Sequence, residues 1–151
     1  MDGFIKLTGQ APTSFGAPAW LVDERVMEIL KDYQFSYLSC TRAKEPFIHA
    51  DCGLIEIPSD LPCLEEVGAE RGAEIITGLL QSEGVHVLPL HAEVEGGIWQ
   101  DWFVQLMDKI LAMGYQAVPL GVIQAGLARD TLTVRRHRMA LLAGRSVPCA
   151  V

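Results

Sequence analysis

Residues 85–97 read Val-His-Val-Leu-Pro-Leu-His-Ala-Glu-Val-Glu-Gly-Gly, and no other stretch restricts the fold as much. An apolar run of strand length ends at His91, and a polar, glycine-containing turn follows. Residues 98–113 then carry a broad apolar stripe at helical spacing. Ile98, Trp102, Leu106 and Ile110 are four apart, Trp99, Phe103, Met107 and Leu111 form the adjoining row, and polar residues fill the remaining face. A strand that feeds a helix through a short turn is a building unit of α/β folds. The stripe is wider than one sheet face requires, so part of it is expected to meet another chain. Loops at the carboxyl ends of strands hold the chemistry in such folds. His91 stands at one of them, and an ordinary pKa of ~6.5 makes histidine a candidate acid or base. The alternative is a polar residue that merely closes a strand.

The same alternation runs through the rest of the chain. Residues 1–13 carry little pattern beyond a helical remnant and a turn at Gly9 and Pro12. Asp23 is a plausible N-cap for a helix to about Tyr33, with Val26, Met27, Leu30 and Tyr33 as its apolar stripe. Phe35 to Cys40 and Leu54 to Ile57 have strand length, and the stretch between them, with Pro46 and Gly53, reads as a surface excursion. A second helix is expected from Leu64 or Ala69 to Gln81, weakened by Gly72 and Gly78. Gly114 ends the helix after His91, Tyr115 to Pro119 gives another strand, and a helical turn follows near residues 121–128. Residues 129–151 read as a basic tail. Within it Arg135-Arg136-His137-Arg138 is the only basic cluster, either a solvated face or a phosphate clamp. Strands too continuous in apolar character to have a wet face argue for α/β with a mainly parallel sheet.

Several segments resemble the polysaccharide deacetylase (NodB-homology) family. The run ending in Leu90-His91 is similar to that family's closing Leu-x-His motif, and Ala17-Pro18-Ala19-Trp20 resembles its third motif. Ile57-Pro58, Leu61-Pro62 and Glu65-Glu66-Val67 resemble the stretch that crosses the active-site mouth, and residues 114–120 look like its last strand. Within the family the likeness points to the bacterial deformylases of 4-deoxy-4-formamido-L-arabinose-phosphoundecaprenol. It covers most of the chain but only the second half of the family domain. The resemblance implies a partial (β/α) barrel of mainly parallel strands, roughly half of a distorted seven-stranded barrel. It makes His91 the general acid, with Pro18, Trp20, Glu93, Arg135 and Arg136 as candidate substrate-binding residues.

The family hydrolyses amides or esters with a metal held by one Asp and two His, from Asp-Asp and His-x-x-x-His motifs. The chain has no Asp-Asp pair, and its histidines, 49, 86, 91 and 137, are never four apart. Gly16 stands where the family's orienting Arg precedes Ala-Pro, and Leu21 follows Trp20 where the deformylases tend to have Arg. No metal cofactor is therefore expected, nor hydrolysis by this chain alone. His49, Asp51 and Cys52 are ligand types for zinc, but in a strand 49 and 51 share one face while 52 points to the other.

Composition narrows the partners. A chain of 151 residues is long enough for one domain with its own core. A net charge of −7 argues against general nucleic-acid binding. No apolar run approaches the ~18 residues of a membrane span, and no secretory signal opens the sequence, so a cytoplasmic protein with reduced cysteines is expected. Three functions fit: a deacetylase-like half domain that retains a groove for sugar or glycolipid and self-associates, an enzyme half completed by another chain, or a purely structural protein. Trp20, Trp99 and Trp102 are the candidates for stacking on a sugar. A half barrel exposes strand edges and an apolar face, so a twofold homodimer is expected, joined through the N-terminal segment, the 98–113 helix or both.

Overall fold

Asp23 starts its helix as its residue type demands: the side chain accepts a hydrogen bond from Val26 N–H at 2.9 Å, satisfying an amide the helix leaves orphaned. In the computed structural model, which describes residues 1–151, this helix is α2 (Glu24–Leu30). It follows α1 (Asp2–Thr8), which ends on Gly9 in the left-handed conformation. The expected second helix is two. α3 (Leu64–Val67) and α4 (Ala69–Leu79) are separated at Gly68, whose φ of 72° breaks the run. Both starts read from the sequence are thus used. α5 (Gln100–Ala112) and α6 (Leu120–Gly126) complete the set. Gly72 is a contact rather than a weakness. A Cβ there would meet Leu64 Cδ1 at 2.9 Å and Trp102 Cζ2 at 3.2 Å, so its hydrogen lets α3 and α5 close over α4.

Five short strands, β1 (Ser14–Gly16), β2 (Tyr37–Ser39), β3 (Phe47–His49), β4 (Ile55–Glu56) and β5 (Val134–Arg135), form one sheet in the order β1-β2-β4-β3-β5. The pairs β1–β2, β2–β4 and β3–β5 are parallel and only β3–β4 is antiparallel. The fold is α/β with a mostly parallel sheet. β6 (Met139–Ala140) and β7 (Cys149–Ala150) make a separate antiparallel ribbon. None of the helices is long and apolar enough to cross a membrane.

Several expectations need correction. Residues 41–53 are not a surface excursion, since they contain β3, whose three residues are all buried. Pro46 and Gly53 lie just outside that strand, and Gly53 closes the β3–β4 hairpin by donating its N–H to the His49 carbonyl. Residues 85–90 and 115–119 are extended but belong to no ladder. Both edges of β4 are taken, by β2 and by the returning β3, so residues 85–90 find only Leu61 N–H for the Val87 carbonyl and Asp60 for Val87 N–H. They pack through side chains instead. Val87 joins Ile48, Ile55 and Ile57, while Leu88 joins Leu61, Ile76, Leu80 and Leu106. Residues 129–151 are not a tail. They supply β5, and Cys149 and Ala150 are fully buried, Ala150 against Met27, Leu30 and Leu38. α5 buries only Leu106 completely; Ile98 precedes the helix in a π-turn (Val94–Ile98) and is 85% exposed.

Candidate functional site around His91

His91 leaves the extended 85–90 segment and enters the π-turn, whose first amides bond back to its carbonyl. Glu95, buried in that turn, accepts the His91 backbone N–H at 2.7 Å and so fixes the main chain. The imidazole points the other way. Its Nδ1 lies 2.9 Å from Glu65 Oε1 on α3, a contact outside hydrogen-bond geometry between side chains 40% and 43% exposed. The carboxylate opposite His91 is therefore Glu65, from a different element. Glu93 is exposed and makes no ion pair or hydrogen bond.

The neighbouring residue on α3 ties this corner to the Pro18–Trp20 segment. Glu66 takes both oxygens to Arg42 Nη1, at 2.8 and 2.9 Å, and meets Arg145 Nη1 at 3.2 Å. Burial alone would raise the Glu66 carboxyl pKa, but the two guanidiniums outweigh it and hold the group below its ordinary range. Arg42 spends its remaining donors on the Ser59 and Leu61 carbonyls. Its guanidinium lies 4.7 Å from the Trp20 ring centroid, and that of Arg145 lies 5.0 Å from it. Trp20 is buried, with Nε1–H donated to Ser59 Oγ at 3.3 Å. In this conformation it is a packing element held by cations, with no open face for a sugar. Pro18 is exposed at the start of its short 3-10 turn, followed by Ala19 and Trp20 at φ 55° and 54°. Two successive non-glycine residues in the left-handed region store strain at this corner. Trp102 gives its Nε1–H to the Ala69 carbonyl, which fixes it between α4 and α5.

Arg42 is the residue that sequence reasoning missed. A signal for it existed, because it follows a parallel strand, β2, at its carboxyl end, the rule by which His91 was selected. Arg135 and Arg136 do not join the His91–Glu65 pair. Arg135 lies over the Phe47 ring at 4.0 Å, and Arg136 reaches Asp51 at 3.2 Å. Arg42, which bonds Glu66, lines the same cleft as both.

Other chemistry is constrained by burial. Burial pushes the Cys40 thiol up to about 12 and Cys63 up to about 11, so neither is a thiolate nucleophile at neutral pH. His49, Asp51 and Cys52 do not converge. His49 Nε2 binds Glu56 at 2.9 Å, Asp51 binds Arg136, and Cys52 packs beside the Met27 core. No three His, Cys, Asp or Glu side chains are grouped as metal ligands.

His86 carries the clearest pH dependence. Its Nδ1 meets Asp60 Oδ2 at 2.6 Å and its Nε2 meets the Ser82 carbonyl at 2.9 Å, two acceptors that only a doubly protonated ring satisfies together. Burial works to lower its pKa, but the bonds to Ser82 and Asp60 and the Asp60 charge prevail and raise it. A raised folded-state pKa gives stability that is full below the unfolded value of ~6.5 and is lost as pH climbs through the folded value. Urea unfolding should therefore show wild type losing stability relative to His86→Gln between pH 6 and pH 8. A constant gap between the two would contradict it.

No family model matches the chain.

Proposed function

We propose that this chain is a half domain of the polysaccharide deacetylase and deformylase type, a partial (β/α) barrel that binds carbohydrate at the mouth near His91. On this reading it does not hydrolyse amides by itself. The observation that carries it is the half-exposed His91–Glu65 pair, set where an extended apolar segment meets a turn and tied through Glu66 and Arg42 to the strained Pro18–Trp20 corner. An imidazole and a carboxylate that both reach solvent can exchange hydrogen bonds with sugar hydroxyls or a formamido group. With no Asp-Asp or His-x-x-x-His pattern in the chain, a general acid alone contributes ~10²–10⁴-fold, well short of amide hydrolysis. Titration of the isotope-labelled chain with N-formyl and N-acetyl amino sugars tests the reading by NMR. Shifts should cluster at His91, Glu65 and Ala92 and vanish in His91→Ala. Uniformly silent spectra would refute it.

Self-association belongs to the same proposal. Phe4, Ile5 and Leu7 on α1, Ile98, and Val104 and Leu111 on α5 stand exposed, and burying apolar surface of this kind favours association. A twofold contact closes on itself and leaves no growing end. Light scattering at micromolar concentration should give the mass of a dimer, and Leu7→Glu or Leu111→Glu should lower it to that of a monomer. A monomer's mass for the unmodified chain would overturn this part.

A further inference from the structure

We propose that the cleft between residues 42–45 and the strand β5 with the residues after it is an oxyanion site that takes a phosphate ester group. The proposal goes beyond the sugar reading, since an anion can bind here whether or not the mouth is occupied. The chain has 12 Lys and Arg and a net charge of −7, yet five of those cations line this single cleft of about 510 Å³. Two are spent, Arg42 on Glu66 and two carbonyls, and Arg136 in part on Asp51. Lys44, Arg135 and Arg138 make no ion pair and donate no side-chain hydrogen bond within the protein. Glu45 is the one acidic residue in the lining.

Arg135 is the best prepared of the three. Its guanidinium lies over the buried Phe47 ring at 4.0 Å, which orders the planar group while leaving its N–H donors unspent. An ordered fork of free donors is the geometry that matches a tetrahedral oxyanion in bidentate fashion. Like charges gathered in one cleft repel one another, and that repulsion acts on the folded state until a counter-charge arrives. A doubly charged phosphate removes the repulsion and supplies acceptors to several donors at once. A long polyanion is a poor occupant, because the rest of a chain at −7 repels it. A soluble phosphate ester and an anionic lipid headgroup present the same group to the cleft.

The test uses the full chain and inorganic phosphate at constant ionic strength, with sodium chloride making up the balance. Millimolar phosphate should raise the melting temperature by several degrees where chloride does not. Arg135→Gln with Arg138→Gln should weaken phosphate binding by about tenfold or more per guanidinium removed. Both residues are exposed, and a circular dichroism spectrum checks that the fold is retained. Lys44→Gln, away from the Phe47 stack, should weaken binding in the same direction. His91→Ala should leave phosphate binding unchanged, which separates this proposal from the sugar reading. Equal stabilisation by chloride and phosphate, or unchanged binding in the double variant, would overturn it. Co-sedimentation with phosphatidate vesicles, absent with phosphatidylcholine and competed by phosphate, supports the site with a lipid headgroup as its ligand. Phosphate binding without co-sedimentation supports it with a soluble ester.

Discussion

Glu56→Ala should destabilise the protein by about 3–5 kcal/mol, the cost of leaving several buried polar groups without the one acceptor they share. Glu56 on β4 is completely buried. Its Oε1 accepts the Cys40 N–H at 2.6 Å, the Thr41 N–H at 2.7 Å and the Thr41 hydroxyl at 2.9 Å, and its Oε2 faces His49 Nε2 at 2.9 Å. Three groups on the residues after β2 and one on β3 thus end on one carboxylate. Alanine strands all of them where water does not reach, and each unsatisfied buried donor costs about 1–3 kcal/mol. For a domain whose whole stability is of order 5–15 kcal/mol, that is a large share. Glu56→Gln keeps an acceptor for part of the set and should cost less. Urea unfolding followed by circular dichroism reads both, and a Glu56→Ala midpoint close to wild type would contradict the assignment.

Arg42→Ala should follow closely, at about 2–4 kcal/mol. Arg42 and Glu66 are nearly buried, with side chains 8% and 6% exposed. Removing the guanidinium leaves the Ser59 and Leu61 carbonyls unpaired and uncovers one face of Trp20, although Glu66 keeps Arg145. Arg42→Lys restores a charge but not the planar set of donors that reaches Glu66 and both carbonyls at once, nor the stacking plane, so it should recover only part of the loss. Trp20 provides a second readout: its fluorescence should shift toward that of a solvated indole in Arg42→Ala while the secondary structure persists. An unchanged melting temperature would show that the network contributes little.

Local signals were legible in the sequence wherever one residue type has one mechanism. Asp23 caps α2, Gly9 ends α1, and the helix after His91 begins within two residues of the expected position. What failed depends on distant partners. β3 is hidden because Pro46 and Gly53 flank three core residues, and nothing local says that this hairpin occupies the edge of β4. Once it does, the strand expected at residues 85–90 has no ladder to join. The site shows the same division. His91 is visible from its position at the end of an apolar run, but its partner Glu65 comes from α3 and could not be told from Glu93 or Glu95 by spacing. The basic cluster was visible as a run of charge. That Lys44 and Arg42 would be carried beside it depends on the pairing of β3 with β5.

That last pairing sets an order of events during synthesis. The outer edge of β3 receives its parallel partner from Val134 and Arg135. At about 5–20 residues per second, the ribosome takes about 4–17 s to travel from one strand to the other. Throughout that interval the buried residues Phe47, Ile48 and His49 sit on a strand with an open row of amides and carbonyls. Such an edge is a template for pairing with a neighbouring nascent chain. The parallel β3–β5 junction therefore leaves that edge of β3 without its partner until translation delivers residues 134–135.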